Sequence, residues 1–130
     1  RQPAKCANAR VNDVELASGQ AVADRAKTWT MAELMDIGQT VFIDNCATCH
    51  EADGSGQGST YPALAGGEIP TGPMPTHIER VMSGAVDTEM QAWAPQLSDL
   101  ELASVITYER NAFGNDLGDI VQPLTIFESR

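Results

Sequence analysis

Apolar positions in the chain recur at helical spacing in two places. Met31, Leu34, Met35, Gly38, Val41 and Phe42 fall on one stripe, which predicts a helix over roughly 31–46. Leu100, Leu102, Val105, Ile106 and Tyr108 predict another, running to about Asn111 with Gly114 beyond it. Helix starts are marked three times by a hydroxyl residue followed three positions later by Glu: Thr30 with Glu33, Thr76 with Glu79, and Ser98 with Glu101. In such a capping box the hydroxyl and the carboxylate each satisfy a backbone N–H that the first helical turn leaves unpaired. The Thr76 box predicts a short helix stopped at Gly84, a residue suited to the left-handed position past a helix end. Residues 11–29 carry a weaker, Ala-rich pattern with Asn12 as cap and Val14, Val22 and Ala26 on one side, read as a linker helix.

Between the first two boxes lies a stretch with no period. Residues 53–73 hold six Gly and three Pro in 21 positions, a composition that is costly to order unless it folds around something. Long loops of this kind are commonly functional. No Gly-Lys-Ser/Thr follows these glycines, so they do not make a phosphate-binding loop.

Composition narrows the function classes. At 130 residues the chain is one domain, and 42% apolar content supports one core. Aromatics are only 5%, so the core packs on aliphatic side chains or wraps a non-protein body. Eight basic residues against 18 acidic ones give −10, which argues against binding nucleic-acid phosphates or anionic lipid. The acid is concentrated: residues 1–30 balance at +2 and residues 31–130 at −12. No apolar run approaches the roughly 20 residues of a membrane-spanning helix, and there is no signal-peptide core. The chain begins at Arg1, as expected of a processed or excised segment.

One motif carries chemistry. Cys46-Ala47-Thr48-Cys49-His50 has the C-x-x-C-H form of covalent haem attachment. Two thiols three apart on a turn can add to two vinyl groups along one porphyrin edge, and the next residue then swings an imidazole beneath the ring. Two other readings stand beside it. A redox dithiol would be expected after a strand, and none precedes Cys46. A zinc site would need further ligands, and only Cys6 and His77 remain, in no paired spacing. A haem would also account for the scarcity of rings, because the macrocycle supplies the large flat apolar body.

The second axial ligand separates electron transfer from ligand chemistry. Met31 and Met35 precede the motif on an apolar stripe, where Met is ordinarily core filler. Beyond it stand Met74 between two prolines, His77 at an exposed first helical turn, Met82 inside a helix, and Met90 in a non-helical segment. Met90 lies 40 residues past His50, enough chain to pass round a haem and reach its opposite face, so spacing favours it.

These residues bring out a family likeness. Gly38-x-x-x-Phe42, Cys46 to His50, and Tyr61-Pro62-Ala63-Leu64-Ala65-Gly66 resemble class I cytochromes c. So do Met90-Gln91-Ala92-Trp93, Leu97-Ser98-Asp99 and Val105-Ile106-Thr107-Tyr108-Glu109-Arg110-Asn111. The Tyr-Glu-Arg-Asn ending with Gly114-Asn115 is similar, more narrowly, to the cytochrome c domain fused to subunit II of bacterial haem-copper oxidases. The likeness spans Gly38 to Asn115; Gln91 stands where many relatives have Pro, and the first thirty residues match nothing in the compact fold.

The resemblance implies an all-α class I cytochrome c fold of three or more helices and long loops around one covalent haem c. It divides the chain into a linker (1–30), a cytochrome domain (31–115) and a C-terminal tail (116–130). Cys46 and Cys49 would hold the haem, His50 and Met90 would ligate its iron, and Pro62 would accept the proximal imidazole N–H. Tyr61 and Trp93 fall at positions beside the cofactor, and Gly38 and Phe42 where the first helix crosses the last against Tyr108. The implied function is one-electron transfer, from a donor cytochrome or other redox protein with a basic surface to the dinuclear copper centre of its own oxidase subunit. A free-standing carrier, or a haem peroxidase or gas sensor with an open sixth position, are the alternatives. The resemblance places the chain on the periplasmic side of the bacterial membrane; Cys6 has no assigned role.

Overall fold

The computed structural model describes residues 16–130, and Cys6, Asn12 and Val14 lie outside them. Among the described residues the structure is helical with no named strand: α1 (Gly19–Ala26), α2 (Met31–Asn45), α3 (Ala47–His50), α4 (Met74–Ser83), α5 (Asp99–Asn111) and α6 (Pro123–Ser129). This is the all-α architecture expected.

Two of the three predicted boxes close as drawn. Thr30 Oγ1 accepts from Glu33 N–H at 3.2 Å while Glu33 Oε1 accepts from Thr30 N–H at 3.0 Å, and Ser98 and Glu101 repeat the arrangement at the head of α5. The Thr76–Glu79 box does not form. α4 starts three residues earlier than that box would set it, at Met74, with Pro73 as N-cap and no side-chain cap. Pro75 sits in the first turn, where its missing N–H goes unneeded, and this nucleates the helix ahead of Thr76.

α5 is the central element. Nine of its thirteen residues are buried, including Asp99, Glu109 and Arg110, because α2, α4, α1 and α6 all pack against it. It crosses α2 at Gly38. A Cβ there would lie 2.2 Å from Ser104 O and 2.7 Å from Tyr108 Cβ, so only a hydrogen fits. One turn on, the Phe42 ring meets Tyr108 at 5.6 Å and Phe113 at 5.2 Å between centroids, and Tyr108 meets Phe113 edge-on at 5.5 Å. Three of the chain's seven aromatic residues thus gather at the end of α2, beside the Cys46–His50 motif.

The flanking segments are not loose. Residues 19–29, expected as part of a linker, hold α1 against α5 and α6: Arg25 Nη1 reaches Asp99 Oδ2 at 3.2 Å, and its guanidinium lies 3.9 Å over the Phe127 ring. Trp29 N–H donates to Gln122 Oε1 and Gln122 Nε2 donates back to Trp29 O, both at 2.9 Å. Residues 116–130, expected as a tail, carry α6, with Val121, Pro123 and Ile126 buried. Its start at Pro123 follows the same proline rule as α4, a signal with no capping box to announce it.

Candidate functional site

Cys46 ends α2 and Ala47–His50 form the single turn α3, so the motif folds as a helical turn at the foot of the longest helix. Both thiols are free. Burial pushes the Cys46 thiol well above the ordinary thiol range, reinforced by the Glu109 and Cys49 charges. Immediately after His50 the backbone turns through Glu51 at φ 67°, ψ 153°, a conformation that L-residues with a side chain adopt only under strain.

His50 Nδ1 lies 2.8 Å from Pro62 O. A carbonyl can only accept, so Nδ1 carries a proton, and in the neutral imidazole the lone pair is then on Nε2. The glycine-rich loop exists to bring Pro62 there. Gly56 N–H donates to His50 O at 2.9 Å, Leu64 N–H to Gly54 O at 2.8 Å, and Gln57 N–H to Tyr61 O at 2.7 Å. Gly56 has φ +72°, and a Cβ on it would lie 2.5 Å from Tyr61 O, so the return strand of the loop passes where any side chain would stand. Asn115 closes the loop from the far side: its Oδ1 accepts from Gly66 N–H at 2.7 Å, and its Nδ2 donates to Leu64 O at 3.1 Å and Glu109 O at 2.8 Å.

Met90 is half-buried and packs against the core. It sits in a tight excursion from the end of α4. Ala85 N–H donates to Met90 O at 3.1 Å, Met90 N–H to Thr88 Oγ1 at 3.2 Å, and Trp93 N–H to Val81 O at 3.1 Å. Gly84, at φ +75°, lets the Met90–Ala92 backbone approach to where its own Cβ would be, 2.6 Å from Met90 O. Trp93 follows, buried at 7% exposure.

The other three candidates all lie on α4. Met82 is buried in the core and Met74 packs against it from the first position of α4. His77 is the clearest correction: expected at an exposed turn, it is 1% exposed. It lies on the inward face of α4 with Ile78, Val81 and Met82, where Nε2 lies 2.8 Å from Glu109 Oε1 and Nδ1 lies 3.4 Å from Arg110 Nη1. Arg110 can only donate, so His77 Nδ1 accepts and Nε2–H donates to Glu109. Arg110 also binds Asp119 through two bonds of 2.9 and 2.8 Å and Gly72 O at 2.9 Å. Both ring nitrogens of His77 are therefore engaged inside the protein. Glu109, Arg110 and Asn115 were legible only as letters of a familiar ending; Glu89, whose carboxylate accepts from Tyr61 Oη at 2.9 Å, had no local signal at all.

The donor set fits a covalent haem: two free thiols three apart, an imidazole whose Nδ1 is engaged and whose orientation is fixed, and a thioether on a braced loop. Among the described residues no group of three or more His, Cys, Asp and Glu is arranged to hold a metal ion. A helical fold that presents a C-x-x-C-H turn in this way defines a c-type cytochrome domain. Residues 19–108 match the family model described as cytochrome c oxidase, cbb3-type, subunit III, and the chain belongs to that family of cytochrome c domains. It carries one covalently bound haem c and transfers electrons.

Curated relatives are similar at moderate identity. The cytochrome c subunit of the quinone alcohol dehydrogenase of Gluconobacter oxydans (strain 621H) is 32% identical over 91 residues, 62% of this chain and 19% of that protein. The cytochrome c subunit of the gluconate 2-dehydrogenase of Pantoea cypripedii is 32% identical over 101 residues, 69% of this chain and 23% of that protein. The cbb3-type cytochrome c oxidase subunit CcoP of Azospirillum brasilense is 28% identical over 94 residues, 68% of this chain and 32% of that protein. The chain thus spans between a fifth and a third of the length of these relatives. They are dehydrogenase and cbb3-type cytochrome subunits, not the copper-bearing subunit II that the Tyr108–Asn111 ending suggested.

Proposed function

We propose that this chain is an electron relay within a larger periplasmic redox assembly, with haem c attached through Cys46 and Cys49 and its iron held by His50 Nε2 and Met90 Sδ. The observation that supports this is the His50–Pro62 bond, which engages Nδ1 and leaves Nε2 as the nitrogen available to an iron. When bound, the haem supplies a one-electron couple; the chain's own residues set its coordination. A histidine and a thioether holding the iron would leave no site for a substrate, and the thioether would favour the reduced state. Pro62 orients the imidazole, Gly84 and Thr88 fix the thioether loop, and Trp93 continues the chain into the core.

The partner is a redox protein with a basic surface, in keeping with −12 on residues 31–130. The relatives favour a dehydrogenase or a cbb3-type oxidase as the assembly, while delivery to a subunit II copper centre rests on the 108–115 ending alone. Ferric holoprotein should show the weak far-red charge-transfer band of a Met-bound haem. Met90→Ala should abolish it, and Met74→Ala and Met82→Ala should keep it. High-spin ferric haem at neutral pH in the unaltered protein would exclude the relay and favour an open-site sensor or peroxidase.

A further inference from the structure

Tyr61 and Glu89 stand 28 residues apart, each one position before a residue that governs an axial ligand. Tyr61 precedes Pro62, whose carbonyl holds His50; Glu89 precedes Met90. The Tyr61 hydroxyl donates to Glu89 Oε2 at 2.9 Å. The carboxylate in turn raises the phenol above its ordinary range, so the hydroxyl keeps its proton at neutral pH and beyond.

Each partner stands on a braced support. Tyr61 O accepts from Gln57 N–H at 2.7 Å, and Gln57 Nε2 donates to Thr48 O at 3.0 Å, inside the Cys46–His50 turn. Glu89 lies between the Thr88 Oγ1–Met90 N–H bond and the Ala85 N–H–Met90 O bond, in a loop pinned at Gly84. Two loops that are each internally fixed move relative to each other as units, and a bond between them resists that motion.

We propose that the Tyr61–Glu89 bond is a clasp between the proximal and distal loops: a positioning pair that holds the Met90 loop shut and sets how long the thioether stays on the iron. The proposal rests on the reading of His50 and Met90 as the ligands. A thioether–iron bond is weak enough to break thermally, and the loop must then swing away from the Tyr61 side for another ligand to enter. That swing breaks the clasp. The bond is charge-assisted but solvent-accessible, so its loss should speed loop opening by about three- to tenfold rather than abolish ligation.

The test is the binding of imidazole to ferric holoprotein by stopped flow, at imidazole concentrations where the rate saturates and reports Met90 departure. Tyr61→Phe and Glu89→Ala should each raise the saturating rate about three- to tenfold while retaining the far-red band at neutral pH. Glu89→Gln keeps an acceptor oxygen and should restore part of the slow rate. The double variant Tyr61→Phe/Glu89→Ala should be no faster than either single one, the signature of one shared interaction. Unchanged saturating rates in both single variants, or effects that multiply in the double, would overturn the clasp and leave the ligand assignment standing. A far-red band that is absent from the unaltered protein, or that survives Met90→Ala, would overturn the ligand assignment and the clasp with it.

Discussion

Gly38 and Ser104 meet so closely that a β-carbon on the glycine would lie 2.2 Å from the serine carbonyl oxygen. This contact sets how near α2 comes to α5, and through α2 it sets where Cys46 stands. Gly38→Ala gains about 1 kcal/mol of helix propensity but must push the two backbones apart. Overpacking of a tight crossing costs about 1–3 kcal/mol, often more where the obstruction is backbone. We expect a net loss, read as a lower urea midpoint with an unchanged m-value.

The buried His77–Glu109–Arg110–Asp119 network should behave as structure, not as ligation. Glu109→Ala leaves the buried His77 Nε2–H without its acceptor while Arg110 keeps Asp119, and an unsatisfied buried donor costs about 1–3 kcal/mol. Glu109→Gln keeps an acceptor and should cost far less. His77→Gln should lower the unfolding midpoint yet leave the far-red haem band in place. Disappearance of the band in that variant would mean that His77 reaches the iron.

Glu51 offers a change in the opposite direction. Its φ of 67° with ψ of 153° is glycine territory, and holding a β-carbon there costs about 1–3 kcal/mol. Glycine loses about 0.5–1 kcal/mol more chain entropy on folding, so the relief exceeds the loss. Glu51→Gly should raise the thermal midpoint, and an unchanged or lower midpoint would show that the Glu51 side chain holds the turn.

Acid should loosen the edges of the fold first. Glu33 is lowered from 4.5 to about 2, chiefly by its bond to Lys27 and then by the Thr30 N–H. Asp119 is lowered chiefly by its bond to Arg110. Both carboxyls are more acidic folded than unfolded, so their stabilisation is complete above the ordinary carboxylate range, about pH 4–5, and is lost as pH falls toward the folded values. The thermal midpoint should therefore decline below about pH 4, and Asp119→Asn should flatten that decline.

What could be read in advance was local. The Thr30 and Ser98 boxes, the 31–46 stripe and the Cys46–His50 turn depend on residues within a turn or two of one another. The Thr76 box has the same spelling but is overridden by Pro75, because a proline in the first turn starts the helix earlier. His77 is buried by its place on the Ile78–Val81–Met82 face, against Glu109 lying 32 residues away. The packing of 116–130 likewise depends on contacts across the chain, such as Gln122 with Trp29 at a separation of 93 residues. Tyr61 could be placed beside the site by likeness, but its partner Glu89 could not, since a hydrogen bond between two loops leaves no periodic trace.

Asp99 gives the fold a further property. Its carboxylate takes Arg25 of α1 on one oxygen and Arg130, just past α6, on the other at 2.8 Å, while Arg130 also donates to Ala94 O and Leu97 O. Two peripheral helices from opposite ends of the described chain are thus tied to one buried anion at the head of α5. Neither can fray without loosening the other's anchor, so α1 and α6 should open as a single cooperative unit. Their amide protons should exchange with matched protection, and Asp99→Asn should lower both together while leaving the interior of α2 slow.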